Sequence, residues 1–328
     1  MPAIELSVEA PRPGHPLVSI VVPVLDEQDC IDELLERVAA VLEKTGHRYE
    51  IIVVDDGSKD RTLDSVKARA AADRRIKFVS FSRNFGHQMA LAAGIEYACG
   101  DAIISMDGDL QHPPELIPEL LDHWQAGTDV VYTVRSSNSG HALKEAASRA
   151  FYALLRALSG VDIPTAAADF RLIDRKVADA LKDCDEHFVF VRGLVPWLGF
   201  SSKAVAYDAG QRYGGKTKYL SGRMLKFALD GIFSFSIVPL RLISLMGAIT
   251  ITLGLIYGAY SIGVRLFSDT AVSGWTSLVI VMLVFSGTQL LSLGILSEYV
   301  GRIYEEVKKR PRYVVKEQSP NLGAEPPR

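Results

Sequence analysis

Cysteine is scarce: the 328 residues include three, Cys30, Cys99 and Cys184. They stand far apart with no metal-ligand spacing, and three cannot all pair, which excludes a disulfide framework and suits a reducing compartment. A charge imbalance is missing as well. Lys and Arg number 36 against 39 Asp and Glu, a net charge of −3, so no global field draws the chain to nucleic acid and any basic function must be local. The opening MPAIELSVEAPRPGHP has no apolar core of a secretory signal; it reads as a flexible acidic, proline-rich tail over 1–16, with the following domain facing the cytosol. No GxGxxG opens a helix after any strand-like run, which removes nicotinamide-dependent oxidoreductases. Repeats and low-complexity tracts are absent up to a polar tail, 318–328, expected to be disordered.

What is present is unevenly distributed. Residues 242–264 and 270–297 are two runs without a charged side chain, each longer than the roughly 20 residues that cross a bilayer core. They predict a two-span helical hairpin over 237–300. Lys216, Lys218, Arg223, Lys226 and Arg241 precede it, and Arg302, Lys308, Lys309, Arg310 and Arg312 follow it, whereas the connector 265–274 holds only Arg265 and Asp269. The positive-inside rule therefore puts both termini on the cytoplasmic side of the plasma (inner) membrane. Just before the hairpin, YLSGRMLKFALDGIFSFS gathers Leu220, Met224, Leu225, Phe227, Ala228, Ile232 and Phe233 on one broad side. That pattern predicts a helix over 219–236 lying in the interface, although an ordinary packing helix has the same pattern.

The first two hundred residues alternate between two periodicities. LVSIVVPVL (17–25), YEIIVVDDG (49–57), IKFVSFSR (76–83), DAIISMDGD (101–109) and DVVYTVR (129–135) are short β-branched runs, and CIDELLERVAAVLEKTG between the first two is a helical pattern with Gly46 as its stop. Alternation of this kind predicts an α/β domain over 17–218 with a mainly parallel sheet, whose ligands bind beyond the carboxyl ends of the strands. The polar motifs collect there: 23–28 after the first run, Asp55 to Ser58 after the second, Asp107 to Asp109 after the fourth and Arg135 after the fifth.

Asp107 and Asp109, with Gly108 between them, repel each other unless something cationic arrives. Two carboxylates at i and i+2 on a loop can present oxygens to a hard divalent cation and to ribose hydroxyls, with Gln111 as a neutral third ligand. Alone, Asp-Gly is also a favoured turn dipeptide. Asp56 has a comparable alternative, as the cap of a helix beginning near Ser58.

The motifs do not stand alone. PVLDEQDC, IIVVDDGSKDRT, FSRNFGHQMALAAGI, ISMDGDLQHPPELI, ADFRLIDRKV, RYGGKTKY and GILSEYVGRIYEEVKKRP occur in the order seen in family 2 glycosyltransferases. Over 17–316 the chain resembles their polyprenyl-phosphate branch, the dolichyl-phosphate mannosyltransferases and the bacterial bactoprenol (undecaprenyl-phosphate) glucosyltransferases. The resemblance implies a GT-A type nucleotide-sugar-binding domain. Pro23, Leu25, Glu27, Val54 and Asp56 would line the base and ribose pocket, and Asp107 and Gly108 would lie against the nucleotide. Asp109 and Gln111, with Asp107, would hold Mg²⁺ or Mn²⁺. Arg135, Arg212 and Lys218 would meet phosphate or sugar, and Asp169 would be the reaction-facing carboxylate, as a base or as an orienting group. Arg83 and His87 are candidates for sugar contact or for a structural role, and Arg171 is a competing ion-pair partner for Asp169. Where relatives often read PVYNE, this chain has Leu25 and Asp26.

The resemblance further implies an inverting transfer of a hexose, UDP-glucose being the favoured donor, to a polyprenyl phosphate in the membrane. GDP-mannose as donor and a processive polysaccharide synthase are the alternatives; RGLVPWLGF matches the acceptor motif of the latter only loosely. Similar two-span enzymes assemble as homotetramers, and the segment 305–317 could supply a strand exchanged between subunits.

Overall fold

The computed structural model describes residues 12–135, 167–184, 186, 189–207, 236–267 and 274–322. Two units emerge: one built around a sheet, which takes up the chain again from Pro311, and one made of helices, which ends at Arg310. Arg212, Lys218 and nearly all of the expected interfacial helix at 219–236 lie outside the described residues, as does most of the connector between the two spans.

The sheet unit begins with β1 (Leu17–Val24), α1 (Ile31–Thr45), β2 (Arg48–Asp55), α2 (Thr62–Ala72), β3 (Ile76–Phe81), α3 (His87–Tyr97) and β4 (Ala102–Ser105). It continues with α4 (Ile117–Gln125), β5 (Val130–Arg135), β6 (Ala167–Asp174), α5 (Arg175–Lys182), α6 (Val191–Trp197) and β7 (Ser202–Tyr207). The eight strands lie in the order β7-β5-β6-β4-β1-β2-β3-β8, where β8 is Val315–Gln318. β1 pairs in parallel with β2 and β4, β2 with β3, and β5 with β7, while β6 runs antiparallel to β4 and β5, and β8 antiparallel to β3. Six strands thus share one direction, as alternation predicts. The order reverses at β1, flanked by β2 and β4, and such a reversal opens a ligand crevice at the carboxyl ends.

Burial explains why these segments are strands and helices. Val18, Ile20, Val22 and Val24 of β1 share a core with Ile31, Leu34, Leu35, Val38 and Leu42 of α1 and with Trp124 of α4. The α1 positions recur every three or four residues, the period of a helix face, and the helix ends before Gly46 as expected. The opposite face of β1 is covered by α3, where Ala90, Leu91, Ala92, Ala93 and Ile95 are all buried. With helices on both faces, the central strands read as continuous apolar runs rather than alternating ones.

β6 inserts between β4 and β5, an arrangement that a local periodicity cannot reveal. One expectation needs correction. The tail expected to be disordered from Gln318 is structured at its start, since β8 ends on Gln318 and Ser319 and Leu322 are buried. In this single chain β8, which overlaps the segment 305–317 that could supply an exchanged strand, pairs with β3. At the other end, within the stretch expected to be flexible, the Arg12 guanidinium bonds Thr128 O and Asp129 at 2.9 and 3.1 Å and covers the Trp124 ring.

The helical unit holds α7 (Val238–Phe267) and α8 (Trp275–Lys308). Both are long and apolar enough to cross a membrane, with a mean hydropathy of 1.9 over their most apolar stretches. The hydroxyls of Thr250, Thr252, Ser292 and Ser297 each donate to the carbonyl four residues earlier, which satisfies them without water. Tyr299 donates from its hydroxyl to Ser236 O at 2.6 Å, tying α8 to the start of α7. α8 continues beyond the expected boundary at 300 to Lys308.

Candidate active site

Four loops at the carboxyl ends of β1 to β4 and the first residues of β6, α3 and α6 form the site. The loop after β1 interlocks with the loop after β2: Lys59 N–H donates to Asp26 Oδ1 at 2.7 Å, Asp26 N–H to Ser58 Oγ at 3.0 Å, and Arg61 N–H to Gln28 Oε1 at 3.1 Å. Asp26 has φ 53°, a left-handed conformation that Asn and Asp tolerate better than other side chains. The replacement at this position therefore keeps a residue able to make the turn. Gly57, at φ +74°, lets the second loop pass the third: a Cβ there would stand 2.6 Å from the backbone carbon of Arg83.

Asp56 is not a helix cap for α2, which begins at Thr62 without a side-chain cap. It is buried and accepts from the N–H groups of Phe85 at 2.7 Å and Gly86 at 2.9 Å, fixing the turn that launches α3. Burial pushes its carboxyl above the usual range, against the pull of those two donors. Val54 is also not where expected. Its side chain is fully buried next to Gly94 of α3, because inward and outward positions alternate along β2, so it cannot line a pocket with its methyls. Pro23 is buried at the end of β1, Leu25 and Glu27 are half-buried in the loop after it, and Arg135 is exposed at the end of β5.

The Asp-Gly-Asp loop is tightly built. Gly108 is buried, and a Cβ on it would stand 2.8 Å from Val24 Cγ1 and 3.5 Å from Pro23 O. Leu110 takes φ 61°, and the Gln111 N–H donates back to Asp109 Oδ1 at 3.2 Å. Asp107 is clamped by His112, whose Nδ1 accepts the Asp107 N–H at 3.0 Å and whose Nε2 lies 3.7 Å from Asp107 Oδ2. Because Nδ1 accepts, the ring proton sits on Nε2. Cys30 packs beneath the loop with its sulfur 3.4 Å from Gly108 O, and burial, then Glu27, pushes its thiol up to about 12.

β6 carries Asp169 to the Asp107 loop. The register Ser105↔Arg171 places residue 169 opposite the residues that follow β4, and Ser105 Oγ donates to Asp169 O at 2.5 Å. Both oxygens of the buried Asp169 carboxylate are held in a fork by Arg192, Nε to Oδ1 and Nη2 to Oδ2, each at 2.7 Å. His87 Nε2 lies 3.1 Å from Oδ2 and Arg171 Nη2 3.4 Å from Oδ1. Burial would raise this carboxyl, yet Arg192, His87 and Arg171 together hold it well below the usual range. His87, opposed by its own desolvation, is raised by Asp169 and Asp107. The competing pairing with Arg171 is therefore present but secondary to Arg192.

A second donor set for a cation adjoins the expected one at Asp107. His87, Asp107 and Asp169 bring one ligand atom each within 4.8 Å of one another. Asp169 is committed to Arg192, which disfavours it as a metal ligand. Asp107 Oδ1 is buried with no hydrogen-bond partner, the condition of a carboxylate oxygen shaped for a cation. Sequence reasoning missed Arg192 and the clamp of His112. A signal for the first exists: Arg192 is the lone charge in FVFVRGLVPWLGF.

Residues 19–182 match the family model Glycosyl transferase family 2. The glycosyltransferase YkcC of Bacillus subtilis is 45% identical over 302 residues, covering 92% of this chain and 94% of that one. The prophage bactoprenol glucosyl transferase homolog of Escherichia coli K12 is 39% identical, covering 91% and 98%. The bactoprenol glucosyl transferase of Shigella phage SfV is 38% identical, covering 92% and 98%. Matched by the family model from inside β1 to the end of α5, and aligned with these relatives across its apolar helices too, the chain belongs to glycosyl transferase family 2.

Proposed function

We propose that the enzyme transfers a hexose, glucose from UDP-glucose, to a polyprenyl phosphate at the cytoplasmic face of the membrane, inverting the anomeric carbon. The observation that carries this reading is full-length similarity to proteins named bactoprenol glucosyl transferase, with both apolar helices inside the aligned region. A lipid acceptor stays in the bilayer, so its enzyme has to bring a soluble donor to the interface.

The chemistry is one displacement. An oxygen of the lipid phosphate forms a bond to the anomeric carbon, the bond from that carbon to the diphosphate breaks, and the diphosphate leaves with the electron pair. A phosphomonoester has a second pKa of about 6 and arrives largely dianionic, so no protein base is required. Asp107, Asp109 and Gln111 would hold Mg²⁺ or Mn²⁺, and the orphaned Asp107 Oδ1 fits that assignment. Such an ion supplies charge neutralisation to the departing diphosphate. Leu25 and Glu27 line the approach from β1, Asp56 fixes the turn ahead of α3, and Arg135 offers an exposed cation at the end of β5. Arg212 and Lys218 belong to this reading by sequence.

The test is label transfer from a panel of radiolabelled nucleotide sugars to undecaprenyl phosphate by the purified full chain with Mg²⁺ or Mn²⁺, alongside Asp109→Ala. A single donor giving a metal-dependent, organic-extractable product that the variant does not form is the expected result. No transfer from any donor by folded, nucleotide-binding protein removes the lipid-phosphate reading, and labelled polymer in place of lipid would make the protein a synthase.

A further inference from the structure

Arg192 opens the RGLVPWLGF segment but is not among the residues that the family resemblance assigns to the site, yet it makes two short side-chain contacts there. Its guanidinium grips both oxygens of Asp169 at 2.7 Å, in the planar fork that only arginine can offer. The two partners differ sharply in access: the Asp169 side chain is 3% exposed and that of Arg192 31%. The carboxylate is thus enclosed while the cation reaches the opening.

Two other side chains reach Asp169. Arg171 is buried 3.4 Å from Oδ1 and donates to Ala168 O as well, and His87 stands 3.1 Å from Oδ2. Two guanidiniums and an imidazole thus meet one carboxylate, and Asp107 lies 3.6 Å from His87. An arginine pinned by a fork is oriented before substrate arrives, and such preorganised charge is what a transferring centre needs.

We propose that Arg192 binds a phosphate oxygen at the reaction centre, and that Asp169 is its positioning residue, holding the guanidinium in place without touching substrate. The proposal rests on the reaction proposed above. The phosphate is either that of the lipid acceptor or that of the nucleotide donor, and steady-state kinetics separates the two.

The experiment uses the full chain in lipid nanodiscs and compares wild type with Arg192→Gln, Arg192→Lys, Arg192→Ala, Asp169→Asn and the double variant Arg192→Gln/Asp169→Asn. Loss of one preorganised donor should lower kcat/KM about 100-fold or more in Arg192→Gln, with partial recovery in Arg192→Lys. Arg192→Ala should regain activity when guanidinium ion is added at millimolar concentration, a rescue that a merely structural role would not give. A KM rise confined to polyprenyl phosphate places Arg192 on the acceptor, and one confined to the nucleotide sugar places it on the donor; either supports the proposal. The double variant should be no slower than the slower single variant, because Asp169 acts through Arg192. Arg192→Gln within about twofold of wild type, or a loss that only follows loss of folded protein with no guanidinium rescue, would overturn the assignment. Independent, multiplying losses in the double variant would overturn the positioning role of Asp169. Inactive wild type with every donor would instead be a failure of the proposed reaction.

Discussion

Gly108 shows at residue scale how little room the nucleotide loop has. Gly108→Ala would drive a methyl against Val24 Cγ1 at 2.8 Å, at an overpacking cost of about 1–3 kcal/mol. The loop would relieve the clash by moving Asp107 and Asp109, so the variant should lose more than about tenfold in metal-dependent turnover while melting only a few degrees lower; unchanged turnover would show that the loop is not so constrained. The pair of aspartates was legible because their repulsion raises a question that only a cation or a hydroxyl-rich ligand answers. Asp56 was legible as important but not as buried, since whether a carboxylate meets substrate or backbone N–H groups depends on where the Phe85–Gly86 turn lies in space. Val54 illustrates the same limit: nothing in an unbroken apolar run tells which face α3 will cover. The lone arginine of FVFVRGLVPWLGF was visible in sequence, but its partner lies 23 residues upstream on another element.

β8 is the element least legible in the sequence. Its four residues, Val315–Gln318, carry alternating half-buried and exposed positions and two charges, a pattern that reads as solvated chain until an edge is found for it. The edge of β3 supplies it. Around the strand, Tyr313 stacks on Phe81 at 4.8 Å and donates to Glu96 Oε2 at 2.6 Å, Lys67 pairs with Glu317 at 2.7 Å, and the Phe78 N–H donates to Ser319 Oγ at 2.7 Å. Tyr313→Ala removes a stacked ring and a charge-assisted hydrogen bond and should destabilise the sheet unit by about 2 kcal/mol. Tyr313→Phe keeps the ring and should cost about 1 kcal/mol, because Arg312 still serves Glu96 at 3.2 Å. Thermal unfolding of the two variants checks the order, and equal losses would mean that the ring contributes nothing. By contrast, α1 and β1 to β4 were legible throughout, since each buries a periodic or continuous apolar face close to its neighbours in sequence.

At the scale of the whole molecule, charge placement leads to a topology that can be measured. Both helices bury none of their most apolar stretches within the protein, the opposite of a soluble core helix. The prediction is that Thr270→Cys reacts with a membrane-impermeant maleimide in intact cells, whereas the native Cys99, exposed on the sheet unit, reacts only after lysis. Reversed labelling would overturn the cytoplasmic placement. The hairpin was readable from two uncharged runs, but its place in the chain has a meaning that hydropathy does not convey. β7 and β8 are the opposite edges of one sheet, and the hairpin is inserted between them in sequence. Time enters here: a ribosome delivers seven strands first, then the two spans, and β8 last. Until that final strand emerges, β3 keeps an open edge of the kind that invites wrong pairing. The sheet is therefore completed only after both apolar helices have been synthesised, so a chain cut short within them leaves the β3 edge open.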